Sequence, residues 1–144
     1  MKVTLRERMG AMHSLRLVNM KNYKYTNGEV LVRCDRKSVL GNPFFMEGKS
    51  PEERIKVCNQ YQDYFDIIVG RKSANDCSNT ASLAKYLTKA SADPSFEARF
   101  KAELQRIEDL LRVTDVAIGC WCYPLRCHTD TIFNYLKSRI IPMA

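Results

Sequence analysis

Apolar positions recur along this chain in two rhythms, and the clearest runs between residues 50 and 70. Ile55, Cys58, Tyr61, Phe65 and Ile68 follow at spacings of three, three, four and three, which places them on one face of a helix. Ser50-Pro51-Glu52-Glu53 precedes them. The serine accepts from the first free amides, the proline fits the first turn, and Glu53 completes a capping box. Gly70 supplies the stop. The cap-then-proline signal returns at Asp93-Pro94, and Phe96, Phe100, Leu104, Ile107 and Leu111 continue it at helical spacing to Arg112. Their period already explains these aromatics as core. A last helix is predicted from Thr129 or Asp130, burying Ile132, Phe133, Leu136 and Ile140 and stopped by Pro142. Between the first two stripes, residues 71–93 are polar and rich in small side chains. A short helix over 81–89 is expected there, within a segment that reads as a lid or an insertion.

The second rhythm is that of strands. Residues 15–19 alternate, and Asn27-Gly28 marks a turn before a second candidate at 29–33. The spacing suggests antiparallel neighbours joined by a loop longer than a tight hairpin. Residues 115–120, with Val116-Ala117-Ile118-Gly119 at their centre, read as a short buried strand. This order of elements predicts an α/β class: a small single domain over 1–144, with a few-stranded sheet flanked by helices and residues 1–14 as a flexible N-terminus.

Composition narrows this picture. With 144 residues, 45% apolar and 27% charged, the chain fits one soluble domain with a proper core. No run approaches the ~20 apolar residues of a membrane span, and the first twenty residues lack the apolar stretch of a signal peptide. A reducing cytoplasm is therefore expected, and no membrane partner. The six cysteines are unevenly spread, so free thiols are expected rather than a disulfide framework. A net charge of +7 favours anionic partners. The basic residues are dispersed, without the block of like charges that marks a nucleic-acid tail.

Chemistry concentrates in Cys120-Trp121-Cys122-Tyr123-Pro124-Leu125-Arg126-Cys127-His128-Thr129-Asp130, which holds three of the six cysteines, the only tryptophan and one of the two histidines. A strand that runs into such a loop and then a helix start is where α/β proteins place ligands. Three readings stay open. Zinc finds four ligand types here, but adjacent Cys127 and His128 are poorly spaced for one tetrahedral ion, so no metal ligands are assigned. A nucleophilic Cys127 at a helix start, with His128 as base and Asp130 orienting it, is the second. The third is an anion site, with amides near Thr129 facing a phosphate and Trp121 and Cys122 beside the ligand. A second loop, residues 34–45, contributes Arg36 for phosphate, Gly41 for a tight backbone path, and Asn42 and Phe44 for a base or sugar.

Leu40-Gly41-Asn42-Pro43-Phe44 followed by a helix, then Gly119-Cys120-Trp121-Cys122-x-Pro124-x-x-Cys127-His128-x-Asp130, together resemble a family of uncharacterised domains. Its members occur in bacteria, archaea and their phages and carry only a domain-of-unknown-function label. The likeness spans residues 15–140 and implies a small Rossmann-like layered fold, with no established activity. Members often show a Tyr-x-Gly-Arg element where this chain has Val32-Arg33-Cys34-Asp35-Arg36, and residues 71–93 are longer here. More loosely, the arrangement is similar to small Rossmann-like domains that bind or cleave nucleotide-derived ligands.

The resulting expectation is a protein that binds, and as an enzyme would cleave, a nucleotide-derived or phosphorylated small molecule in a bacterial or phage cytoplasm. The activity would be hydrolase or glycosidase-like, with no cofactor. The alternative is a nucleic-acid or protein-interaction module, for example a phage-encoded inhibitor, with a structural and zinc-bound cysteine loop. Salt dependence separates the two, because counterion release makes nucleic-acid affinity fall steeply with salt.

Overall fold

The computed structural model describes residues 2–6, 12–26 and 28–140. Four strands, β1 (Lys2–Arg6), β2 (Met12–Asn19), β3 (Val30–Arg33) and β4 (Val116–Cys120), combine with four helices, α1 (Pro51–Val69), α2 (Thr80–Ala92), α3 (Phe96–Leu111) and α4 (Thr129–Ile140). The expected α/β class holds. Residues 1–14, expected as a flexible terminus, include β1 and the start of β2. Asn27, Pro142 and the side chain of Ile140 lie outside the described residues.

The sheet has the order β1-β2-β4-β3. β1 is an antiparallel edge strand, whereas β2 and β3 both run parallel to β4 and flank it. The expected antiparallel pairing of residues 15–19 with 29–33 is therefore corrected: β4 lies between them. Strand alternation explains how the chain crosses it. In register, Leu15, Val116 and Val30 share one face with Leu17, Ile118 and Val32, and α3 and α4 pack on β2 and β4. The other face carries the small residues Ala117 and Gly119, and residues 20–26 return across it. A Cβ on Gly119 would lie 2.6 Å from Met20 Cγ, so the missing side chain is what lets this crossing lie close. Arg16 anchors it through Glu29 (2.7 Å), which also accepts from the Tyr23 hydroxyl (2.8 Å).

The helices follow their apolar stripes. Ser50 accepts from the amide of Glu53 (3.1 Å), and Gly70 closes α1 in the left-handed conformation at φ +83°. The full capping box does not form, because Glu53 accepts from the amide of Glu47 instead (3.1 Å). Ile55, counted with the buried stripe, is exposed; Val57 and Tyr64 take its place in the core. α2 is longer than the expected 81–89, and the buried Ser82 hydroxyl donates to the Gln60 carbonyl of α1 (2.8 Å). The stripe from Phe96 to Leu111 is buried as its period requires.

Candidate functional site

β3 and β4 end side by side, so the segments that leave them start side by side. Residues 34–45 follow β3 and residues 121–128 follow β4. Tyr61, fully buried on α1, braces both. Its hydroxyl donates to the Leu40 carbonyl (2.6 Å), and its ring meets the His128 ring edge-on at 5.0 Å. Asn19 at the end of β2 adds a third brace, donating to the carbonyls of Trp121 (3.2 Å) and Tyr123 (3.0 Å). The two loops singled out in the sequence therefore wall one cavity of about 440 Å³.

The cavity is basic on its rim and apolar within. Arg33, Arg36, Lys37, Arg54 and Arg126 line it, with Asp35 as the one carboxylate. That carboxylate is already matched: Arg33 grips it at 2.6 Å, and the Trp121 indole donates to it at 3.0 Å. These bonds, the guanidinium first, hold Asp35 down to a pKa of about 2. Arg126 donates to Asn59 (2.9 Å), and Arg54 donates to the Arg126 carbonyl (3.3 Å), which ties α1 to the cysteine loop. Phe44, Met46 and Val57 supply apolar wall.

Asn42 is only 8% exposed and lines this cavity. Its Oδ1 accepts from the Phe44 amide at 2.9 Å, closing a turn. Its Nδ2 has no partner among the described residues. A buried amide donor left unmatched costs free energy unless a ligand or water accepts from it.

The thiols divide sharply. His128 faces the Cys34 carbonyl through Nε2. A carbonyl only accepts, so Nε2 carries the proton and Nδ1 is left to accept from Cys127, 3.2 Å away. Burial drives the His128 pKa down to about 4, so the ring is neutral. The Cys127 side chain also lies beside the sulfurs of Cys120 and Cys122, and this contact raises its own pKa and lowers theirs to about 6. Arg54 beside Cys122 acts in the same direction. Of the two thiols whose pKa is lowered, Cys122 is half-buried on the cavity wall and Cys120 is buried, whereas Cys127, expected from the sequence as the nucleophile, is buried against His128.

Of the other expected residues, Arg36, Asn42, Phe44, Trp121, Cys122, Cys127 and His128 all line the cavity. Three do not. Gly41 lies behind the loop, where an added Cβ would sit 2.4 Å from the Asp35 carbonyl oxygen, so its role is close backbone approach. Thr129 is fully buried, its hydroxyl directed at Cys120 Sγ (3.6 Å). Asp130 turns back to accept from the Cys127 amide (3.2 Å) and does not orient His128. The amides of Asp130 and Thr131 are likewise used, by the carbonyls of Cys127 and His128. The start of α4 therefore offers little to a phosphate, and side-chain cations replace it. Sequence reasoning missed Arg33, Arg54 and Arg126. Arg54 carried a signal, for a cation in the first turn of a helix opposes the macrodipole.

Among the described residues, no group of three or more histidine, cysteine or acidic side chains is arranged to hold a metal ion. No curated protein and no solved structure matches the chain. A family model does match, over residues 18–138 and so across both loops of the cavity: the chain belongs to the family described as Domain of unknown function (DUF4326).

Proposed function

We propose that this protein binds a nucleotide-derived, phosphate-bearing small molecule in the cavity between the residue 34–45 loop and the cysteine loop. The observation that carries this reading is the pairing of an unmatched, buried Asn42 amide with a rim of five cations and one neutralised carboxylate. Phosphate is recognised by guanidinium and ammonium groups. A flat heterocycle suits the apolar wall and the Trp121 ring, and the Asn42 Nδ2 donor suits an acceptor on its edge. A volume of about 440 Å³ lies within the range of small-ligand sites.

The position of the cavity, at the carboxyl ends of a parallel β2-β4-β3 trio, supports the Rossmann-like reading of the fold, where ligands gather at that edge. The free state of all six cysteines suits a reducing cytoplasm. Among the described residues, no helix is long and apolar enough to cross a membrane.

Calorimetric titration with ADP, GDP, CDP and UDP tests the reading. At least one should bind more tightly than about 1 mM. Asn42→Asp keeps the Oδ1 acceptor for Phe44 but replaces the donor with a charge that repels phosphate, so it should weaken that binding about tenfold or more. Absence of binding by all four would end the proposal.

A further inference from the structure

The loop that walls the cavity has a second side. Behind it, between the residue 36–45 segment, α2 and the start of α3, lies a groove of about 480 Å³. Arg36, Lys37, Lys85, Lys89 and Arg99 line this groove, and no carboxylate does. Arg99 is already paired with Asp93. Among the described residues, the other four have no ion-pair partner. Lys85 and Lys89 stand four residues apart on one face of α2. That helix is held in place by Ser82, and Lys89 lies over the Phe96 ring at 5.4 Å.

The groove and the cavity share the loop as a common wall. Arg36, Lys37 and Asn42 line both. An aromatic ring is also offered on each side of the shared loop. Trp121 is 55% exposed at the cavity, and Phe45 is 74% exposed at the groove, with the Arg36 guanidinium 4.0 Å from its ring centre. A chain of cations interrupted by exposed rings is what an unpaired nucleic-acid strand requires: phosphates on the cations, bases on the rings. A duplex keeps its base faces stacked within itself and has no use for such rings.

We infer that the groove is a phosphate track leading out of the cavity, so that the protein holds single-stranded nucleic acid with one nucleotide seated in the cavity and the adjoining backbone in the groove. This rests on the nucleotide reading of the cavity and extends it from a free nucleotide to a strand. It also gives the long 71–93 segment a role, since Lys85 and Lys89 both come from it.

Fluorescence anisotropy with labelled single-stranded DNA and RNA of about eight nucleotides, run beside calorimetry with the nucleoside diphosphates, tests the track. The strands should bind at least about tenfold more tightly than the diphosphates, because they add phosphate contacts. Lys85→Glu/Lys89→Glu should remove most of that advantage and leave diphosphate affinity unchanged. The milder Lys85→Gln/Lys89→Gln should act in the same direction and lower the salt slope by about 1.4, the loss of two contacts. Strands that bind no more tightly than diphosphates, or that ignore both double variants, would overturn the track and leave the cavity reading intact. An octaglutamate peptide that competes as well as an unlabelled strand would overturn it too, in favour of an acidic protein partner. Failure of every diphosphate to bind overturns the cavity reading itself, and the track with it.

Discussion

His128 sits where the two loops meet, and its proton inventory is unusual for a histidine. Nε2 donates to the Cys34 carbonyl, Nδ1 faces the Cys127 thiol, and burial holds the ring neutral with a pKa of about 4. The unfolded chain, by contrast, takes up this proton near the ordinary value of 6.5. As pH falls below 6.5 the unfolded state gains a proton that the folded state refuses, so stability is lost down to pH 4 and then levels off. The full effect is roughly 3 kcal/mol by linkage. Thermal melts between pH 7 and 4 should show that decline, and His128→Gln, which still donates to Cys34, should flatten it. An unchanged slope in the variant would assign the decline to other groups. At this scale the sequence was partly legible. Residue types marked Trp121, Cys122 and His128, which line one cavity, because reactive side chains clustered after a strand. The lowered pKa values of Cys120 and Cys122 were not legible, because contact among neighbouring sulfurs is three-dimensional and spacing does not carry it.

Elements were more legible where their signals are local. The α1 and α3 stripes and the buried β4 run follow from periodicity, which depends only on near neighbours. Strand order does not. β2 and β3 look like antiparallel neighbours by spacing, yet each pairs with β4, roughly a hundred residues away from β2. Gly119 makes that arrangement feasible by letting the segment that begins at Met20 cross close to the sheet. Caps behave as local signals as well. Ser50→Ala should remove the bond to the Glu53 amide and cost about 0.5–2 kcal/mol. Because Glu53 is engaged with Glu47, no reciprocal bond is lost, and chemical denaturation should place the loss toward the lower end of that range. Nucleoside diphosphate affinity should not change, since Ser50 does not line the cavity.

For the whole molecule, the distribution of charge along the sequence differs from its distribution in space. The basic residues are scattered in sequence, which argued against a dedicated nucleic-acid tail. Folding gathers Arg33, Arg36, Lys37, Arg54 and Arg126 from two loops, a strand end and a helix start around one opening. The position of β4 in the middle of the sheet carries a consequence for how the protein comes into being. Synthesis delivers β2 and β3 early, but the strand that joins them arrives after residue 115. Until then the nascent chain has no parallel sheet to fold onto, and the helices that pack there have no floor. Contacts this distant in sequence slow folding and delay its completion. A chain truncated after Thr114 should accordingly melt without a cooperative transition, while the 1–144 chain melts with one. Cooperative melting of the fragment would show instead that the helices sustain themselves. The five residues that close the sheet also lead directly into the cysteine loop, so synthesis delivers the second wall of the cavity right after the strand that completes the sheet.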